Sequence, residues 1–187
     1  MPAPGPKDFV RIPTLDEIAE AAQRIAPHLC ESPVLELPLG LPGKRILVKD
    51  EGRNQAGAFK LRGALNAVLS RPRAEIERGV CTVSSGNMAY AIAVAARIAG
   101  VPMAAYMYAH APQSKIDGVR ANGGEVRIVS DEVYWSYALG QAAPETPGPS
   151  FARRLCTLTE DTDAHVAYVL VQTGGDRNKA AAILGIS

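Results

Sequence analysis

Residues 80–108 read VCTVSSGNMAYAIAVAARIAGVPMAAYMY, and this stretch decides the fold class. Val80 to Val83 is a short apolar run suited to a strand, and Ser84 to Asn87 is a tight polar turn. Met88 to Ile98 is an alanine-rich run at helical spacing that Gly100 stops, and Met103 to Met107 returns to strand character. The same alternation extends outward. Downstream, Ser114 to Ala121 reads as a helix stopped by Gly123 and Gly124, and Glu125 to Val129 as a strand. Upstream, Ile46 to Lys49 reads as a buried strand, a loop marked by Gly52 and Gly57 follows, and Phe59 to Leu69 recurs as a helix. Thr14 and Glu17 make a capping box for a first helix over 15–27. Strands alternating with helices across short loops predict an α/β fold, a three-layer αβα arrangement with a mainly parallel sheet. In such sheets ligands collect beyond the carboxyl ends of strands, which singles out the loops 51–59 and 84–87.

The character changes after Asp131, where Tyr134, Trp135 and Tyr137 cluster; such rings can form a hot spot for a partner, and burial against the main domain is the more ordinary expectation. Pro144 to Ser150 reads as a linker. Beyond it, Ala164 to Val171 and Arg177 to Leu184 are helical in pattern, joined at Gly174-Gly175 with Asp176 as cap, so a short C-terminal helical hairpin is expected. The predicted organisation is thus a domain over 14–131, a linker over 144–150 and a helical segment over 151–187.

Composition narrows the function classes. The chain has 187 residues, 47% hydrophobic and 21% charged, with a net charge of +1. No global field draws it to nucleic acid or anionic lipid, so a ligand must be held by a local site. Cys30, Cys81 and Cys156 show no metal or redox spacing, which suits a reducing, cytoplasmic location. The amino terminus carries no secretory pattern, and the longest apolar stretch, Ala89 to Ala99, is too short to span a bilayer. His28, His110 and His165 are scattered, and no metal site is expected.

Chemistry centres on Asn54-Gln55-Ala56-Gly57-Ala58-Phe59-Lys60-Leu61-Arg62-Gly63-Ala64, which puts a lysine at a helix start after a turn of small residues. The positive end of the helix dipole favours the neutral amine that carbonyl chemistry needs. Spacing alone leaves this reading open beside a solvated first-turn lysine.

AGAFKLRGALNAV (56–68) resembles the lysine motif of the fold-type-II pyridoxal-phosphate enzymes, usually TGSFKxRGA, in its threonine/serine dehydratase and serine racemase branch. Ser84-Ser85-Gly86-Asn87 resembles the same family's S(S/A)GNH loop, and Ser32-Pro33-Val34 its TPL segment. The resemblance runs from residue 14 to about 130. It implies that pyridoxal 5'-phosphate is the cofactor, that Lys60 forms the Schiff base and Phe59 packs beside the ring, and that Asn87 bonds the phenolic oxygen. It further implies that Ser84, Ser85, Gly86 and Asn87 hold the substrate carboxylate, and that Ser85 is the acid/base on the second face. The implied substrate is a small threonine- or serine-like hydroxy-amino acid, undergoing elimination to a 2-oxo acid and ammonia or racemisation, in a homo-oligomer.

The sequence departs from the family in four places. Ala56 and Ala58 replace the threonine and serine of TGSFK, and Met88 stands where GNH has histidine. Neither Gly123-Gly124 nor Gly174-Gly175 reads as the family's phosphate-binding glycine loop, each being more simply a turn or helix stop. The resemblance also implies a larger central sheet in the family, of which the matching residues would supply only part. The tail from His165, with VLVQTGGDRNKAAAILGIS (169–187), resembles the first two helices of a Fis-type helix-turn-helix. Ser187 falls ahead of the recognition helix that would read bases, so no specific DNA binding is expected from these residues. The alternative readings of the whole are a regulator-like protein with a DNA-binding tail, and a non-catalytic remnant.

Overall fold

The computed structural model describes residues 12–39, 42–139, 141, 142 and 144. The linker, the helical hairpin, the helix-turn-helix resemblance, Cys156, His165 and Gly174-Gly175 lie outside the described residues.

Three strands, β3 (Val80–Val83), β4 (Met103–Tyr108) and β5 (Glu125–Val129), form a parallel sheet in that order, with Val80 opposite Met103 and Ala104 opposite Glu125. The two crossovers are α4 (Asn87–Ala99) and α5 (Gln113–Ala121). Both lie on one face, where Val80, Met103, Ala105 and Met107 point into the larger core. The opposite face carries Cys81, Val83, Ala104 and Tyr106, covered by α6 (Asp131–Ala138) through Tyr134 and Tyr137. Helix, sheet and helix make the three layers that the alternation predicts.

The alanines of α4 explain its central place. Ala89, Ala91, Ile92, Ala93, Val94, Ala95 and Ala96 are all buried, because the helix is wedged between the sheet, α5 and a further helix, α2 (Lys60–Leu69). A helix apolar on nearly every side needs neighbours on every side. Leu61, Ala64, Leu65 and Val68 of α2 complete this core, and α1 (Leu15–Ile25) packs on α2, with Arg24 donating to Asn66 Oδ1 at 2.6 Å. The Thr14–Glu17 capping box is formed, and Gly100 ends α4 in the left-handed region at φ 64°, which favours glycine.

Three expectations need correction. Residues 46–49 form a strand, β2 (Ile46–Lys49), but not a buried one: it pairs antiparallel with β1 (Val34–Leu37) in a separate two-stranded ribbon that exposes Leu35, Leu37, Leu47 and Val48. An apolar tetrapeptide fits a covered strand, but no second layer lies over it among the described residues. The segment from β2 through α2 to β3 is therefore not a crossover within one sheet. Helix α1 stops at Ile25, and Ala26–His28 continues as a 3-10 turn, with Pro27 inside it. Of the aromatic cluster, Tyr134 and Tyr137 pack edge-on against Tyr108 and Tyr106, whereas Trp135 is 58% exposed. Beyond the earlier elements, a single turn α3 (Arg73–Ile76) links α2 to β3.

Candidate active site

The lysine-bearing loop is built around one side chain. Asn54 Oδ1 accepts from the Ala56 N–H at 3.0 Å and the Ala58 N–H at 3.4 Å, while its Nδ2 donates to the Ala58 carbonyl at 2.9 Å. The Gly57 N–H closes the turn on the Asn54 carbonyl at 2.9 Å, and Gly57 takes φ 62°. Ala56 and Ala58 are buried, and Phe59, 48% exposed, leads into α2, whose first residue is Lys60. Lys60 is half-buried, with Nζ 4.9 Å from the centre of the Phe59 ring.

A second set of bonds ties this loop to the helix it feeds. Arg62 Nε donates to Glu51 Oε1 at 2.8 Å and Arg62 Nη2 to Ser32 Oγ at 3.0 Å. Asn54 Nδ2 reaches Glu51 Oε2 at 3.3 Å, and Lys49 Nζ lies 3.7 Å from Glu51 Oε1. The Glu51 and Lys49 side chains are only 14% and 18% exposed. Burial, and then repulsion from Arg62, hold the Lys49 ammonium below the usual lysine range, with Glu51 opposing them.

The other loop follows the carboxyl end of β3. The Ser84 N–H donates to the Tyr106 carbonyl at 3.1 Å, and the Gly86 N–H to Ser84 Oγ at 3.4 Å. Ser85 is buried, and its Oγ accepts from the Tyr108 N–H at 3.1 Å, which leaves the hydroxyl proton available to donate. No side chain caps the start of α4, whose first N–H groups have no intrahelical acceptor. A Cβ on Gly86 would meet nothing within 4 Å, and the exposed Asn87 side chain makes no hydrogen bond among the described residues.

The structure therefore places Ser84, Ser85, Gly86 and Asn87 together at one helix start, and Phe59 with Lys60 at another. The two helices, α4 and α2, pack against each other. Gln55 of the lysine loop accepts from Arg97 Nη2 at 3.1 Å, so the upstream part of that loop touches the end of α4 opposite Asn87. The amine at one helix start, and the carboxamide, buried hydroxyl and helix start without a side-chain cap at the other, are groups of the kinds that receive an aldehyde and an anion. No phosphate cradle accompanies them among the described residues. Gly123-Gly124 is a helix stop, where a Cβ on Gly124 would come within 2.7 Å of Val119 Cγ1. No cluster of metal ligands occurs among the described residues, and none of their helices is long and apolar enough to cross a membrane. The residues that sequence reasoning missed are Glu51, Asn54, Arg62 and Ser32.

Comparison with known proteins bears on the family and the fold. The family model described as pyridoxal-phosphate dependent enzyme matches residues 25–175, extending past residue 130, where the resemblance of the motifs ends. The serine racemase of Oryza sativa subsp. indica is 40% identical over 114 residues, 60% of this chain and 34% of the racemase. The beta-hydroxyaspartate dehydratase of Paracoccus denitrificans is 39% identical over 117 residues, 62% of this chain and 37% of the dehydratase. The solved structure of maize serine racemase superposes with a TM-score of 0.65 at 34% identity, over 75% of this chain and 44% of that one. The chain spans about a third of the length of the curated relatives it matches. With a lysine at one helix start, a serine-glycine-asparagine loop at the next and a family match over most of its length, the chain belongs to the pyridoxal-phosphate-dependent enzymes.

Proposed function

We propose that this chain carries the lysine and the substrate loop of a pyridoxal-phosphate-dependent ammonia-lyase or racemase acting on small threonine- or serine-like hydroxy-amino acids. The observation that carries the reading is the start of α4, where the buried Ser85 hydroxyl, the Asn87 carboxamide and N–H groups without a side-chain cap follow one another in a chain similar to racemases and dehydratases.

Bound at Lys60, the cofactor supplies an electron-withdrawing ring that takes up the electrons left when the substrate's α-proton departs. The protein's own residues do the rest. N–H groups at the start of α4 receive the substrate carboxylate. Asn87 orients the ring through its phenolic oxygen, and Phe59 supplies an apolar wall. Set free when the substrate's amino group takes its place on the cofactor, the Lys60 amine would take the α-proton on one face. On the other, Ser85 holds a proton, and the N–H of Tyr108 steadies the Ser85 oxygen when that proton is given away. Departure of the β-hydroxyl with the α-proton as water would give an enamine that a further water hydrolyses to a 2-oxo acid and ammonia, whereas return of a proton from Ser85 would give the mirror-image amino acid. A homo-oligomer and a cytoplasmic location belong to the same reading, supported by the exposed apolar ribbon and by the free, exposed thiol of Cys30.

The test is to mix the purified chain with pyridoxal phosphate, follow the visible absorbance, reduce with borohydride and map the adduct. The expected label sits on Lys60 and disappears in Lys60→Ala. No adduct, or one spread over many lysines, overturns the proposal.

A further inference from the structure

We infer that Asn54 is the positioning residue for Lys60: its carboxamide holds the loop in the conformation that presents the amine. This rests on the reading that Lys60 is the cofactor lysine. All four hydrogen-bonding sites of the carboxamide are used, two as acceptor from the Ala56 and Ala58 N–H groups and two as donor to the Ala58 carbonyl and Glu51 Oε2.

The Ala58 carbonyl is also the acceptor for the Leu61 N–H at 3.2 Å, in the first turn of α2. One atom thus joins the clamp to the helix that begins at Lys60. Downstream, Arg62 is bonded to Glu51, the same carboxylate that Asn54 touches, so Lys60 is fixed from both sides by one connected set of groups. Ala56 and Ala58 have no side-chain donors or acceptors of their own. Asn54 is therefore the side chain that must hold the turn. Its bonds stay within residues 51–58 and reach no core residue of α4 or the sheet, so its removal loosens the loop and leaves the core folded.

The experiment compares Asn54→Ala, Asn54→Ser and, as a control in the same loop, Gln55→Ala in the full chain. It reads amide hydrogen exchange at Ala56 and Ala58, the rate of borohydride-trapped pyridoxal-phosphate labelling at Lys60, and the urea midpoint. Asn54→Ala should speed exchange at both amides at least about tenfold and slow labelling by a similar factor, with the midpoint little changed. Serine can still accept from the N–H two residues on, so Asn54→Ser should restore protection at Ala56 and recover part of the labelling. Gln55→Ala should change neither. Labelling within twofold of the unaltered chain in Asn54→Ala, together with unchanged exchange, overturns the inference, as does loss of labelling that serine does not recover. If the unaltered chain takes no label at Lys60, the cofactor reading fails instead. The exchange arm then decides alone whether Asn54 holds the loop.

Discussion

Replacing Glu51 by glutamine keeps the shape of the side chain and removes its charge, which isolates the electrostatic hold on the lysine loop. Arg62 Nε donates to Glu51 at 2.8 Å, and a hydrogen bond to a charged group contributes about 1.5–3 kcal/mol. The Arg62 side chain is 33% exposed, so solvent screening argues for the lower part of that range. Glutamine also leaves Lys49 and Arg62 as neighbouring cations without a carboxylate between them. Together these give a destabilisation of about 2 kcal/mol, roughly thirtyfold in the unfolding equilibrium. Urea unfolding followed by circular dichroism measures it, and a double-mutant cycle with Arg62→Met isolates the pair, with a coupling of about 1–2 kcal/mol expected. A Glu51→Gln chain within about 0.5 kcal/mol of the unaltered one, or a coupling near zero, would refute the reasoning, because it would make the pair an ordinary surface contact.

Lys49 gives a pH signature. Its folded pKa is depressed, so the unfolded chain binds more protons between that value and about 10.4, and stability should rise with pH across this window. Lys49→Met should flatten that rise when urea midpoints are compared from pH 8 to 10.5. Thr82 Oγ1 is buried with no partner among the described residues, so Thr82→Val, of the same shape, should stabilise by about 1 kcal/mol; a lowered melting temperature would show that the hydroxyl is satisfied in solution. Gly124→Ala should cost about 1–3 kcal/mol, because the new Cβ would meet Val119 Cγ1 at 2.7 Å, Met103 Sδ at 2.8 Å and the Val119 carbonyl at 3.1 Å. Thermal unfolding within 1 °C of the unaltered chain would count against that packing.

Strands and helices that repeat through one covered sheet were legible residue by residue. The bounds of β3 and β5 match the apolar runs, and α4 ends at the glycine that stops its pattern. The ribbon was not, for two reasons. Val34-Leu35-Glu36-Leu37 is four residues between Pro33 and Pro38, too short for alternation to speak, and Ile46 to Lys49 carries apolar side chains whether or not a layer covers them. Lys60 and the 84–87 loop could be singled out from sequence because each is a contiguous motif. Glu51, Arg62 and Ser32 were missed because their bonds span 11 and 30 positions, and nothing local marks a carboxylate that will meet a guanidinium one helix turn beyond a loop. Asn54 could have been found: an asparagine two residues before a buried alanine, ahead of a glycine, is the pattern of a side chain bonding its own backbone.

The β1–β2 ribbon has a consequence for the chain's lifetime in a cell. Among the described residues neither strand has a second neighbour, and Leu35, Leu37, Leu47 and Val48 face water beside two open backbone edges. Such an edge is a template for other strands and a handhold for chaperones and proteases. The tightly packed α4 does not protect it, because surveillance begins at the least covered element. Among the described residues it is these eight at the rim, rather than the core, that offer such a template wherever nothing covers them.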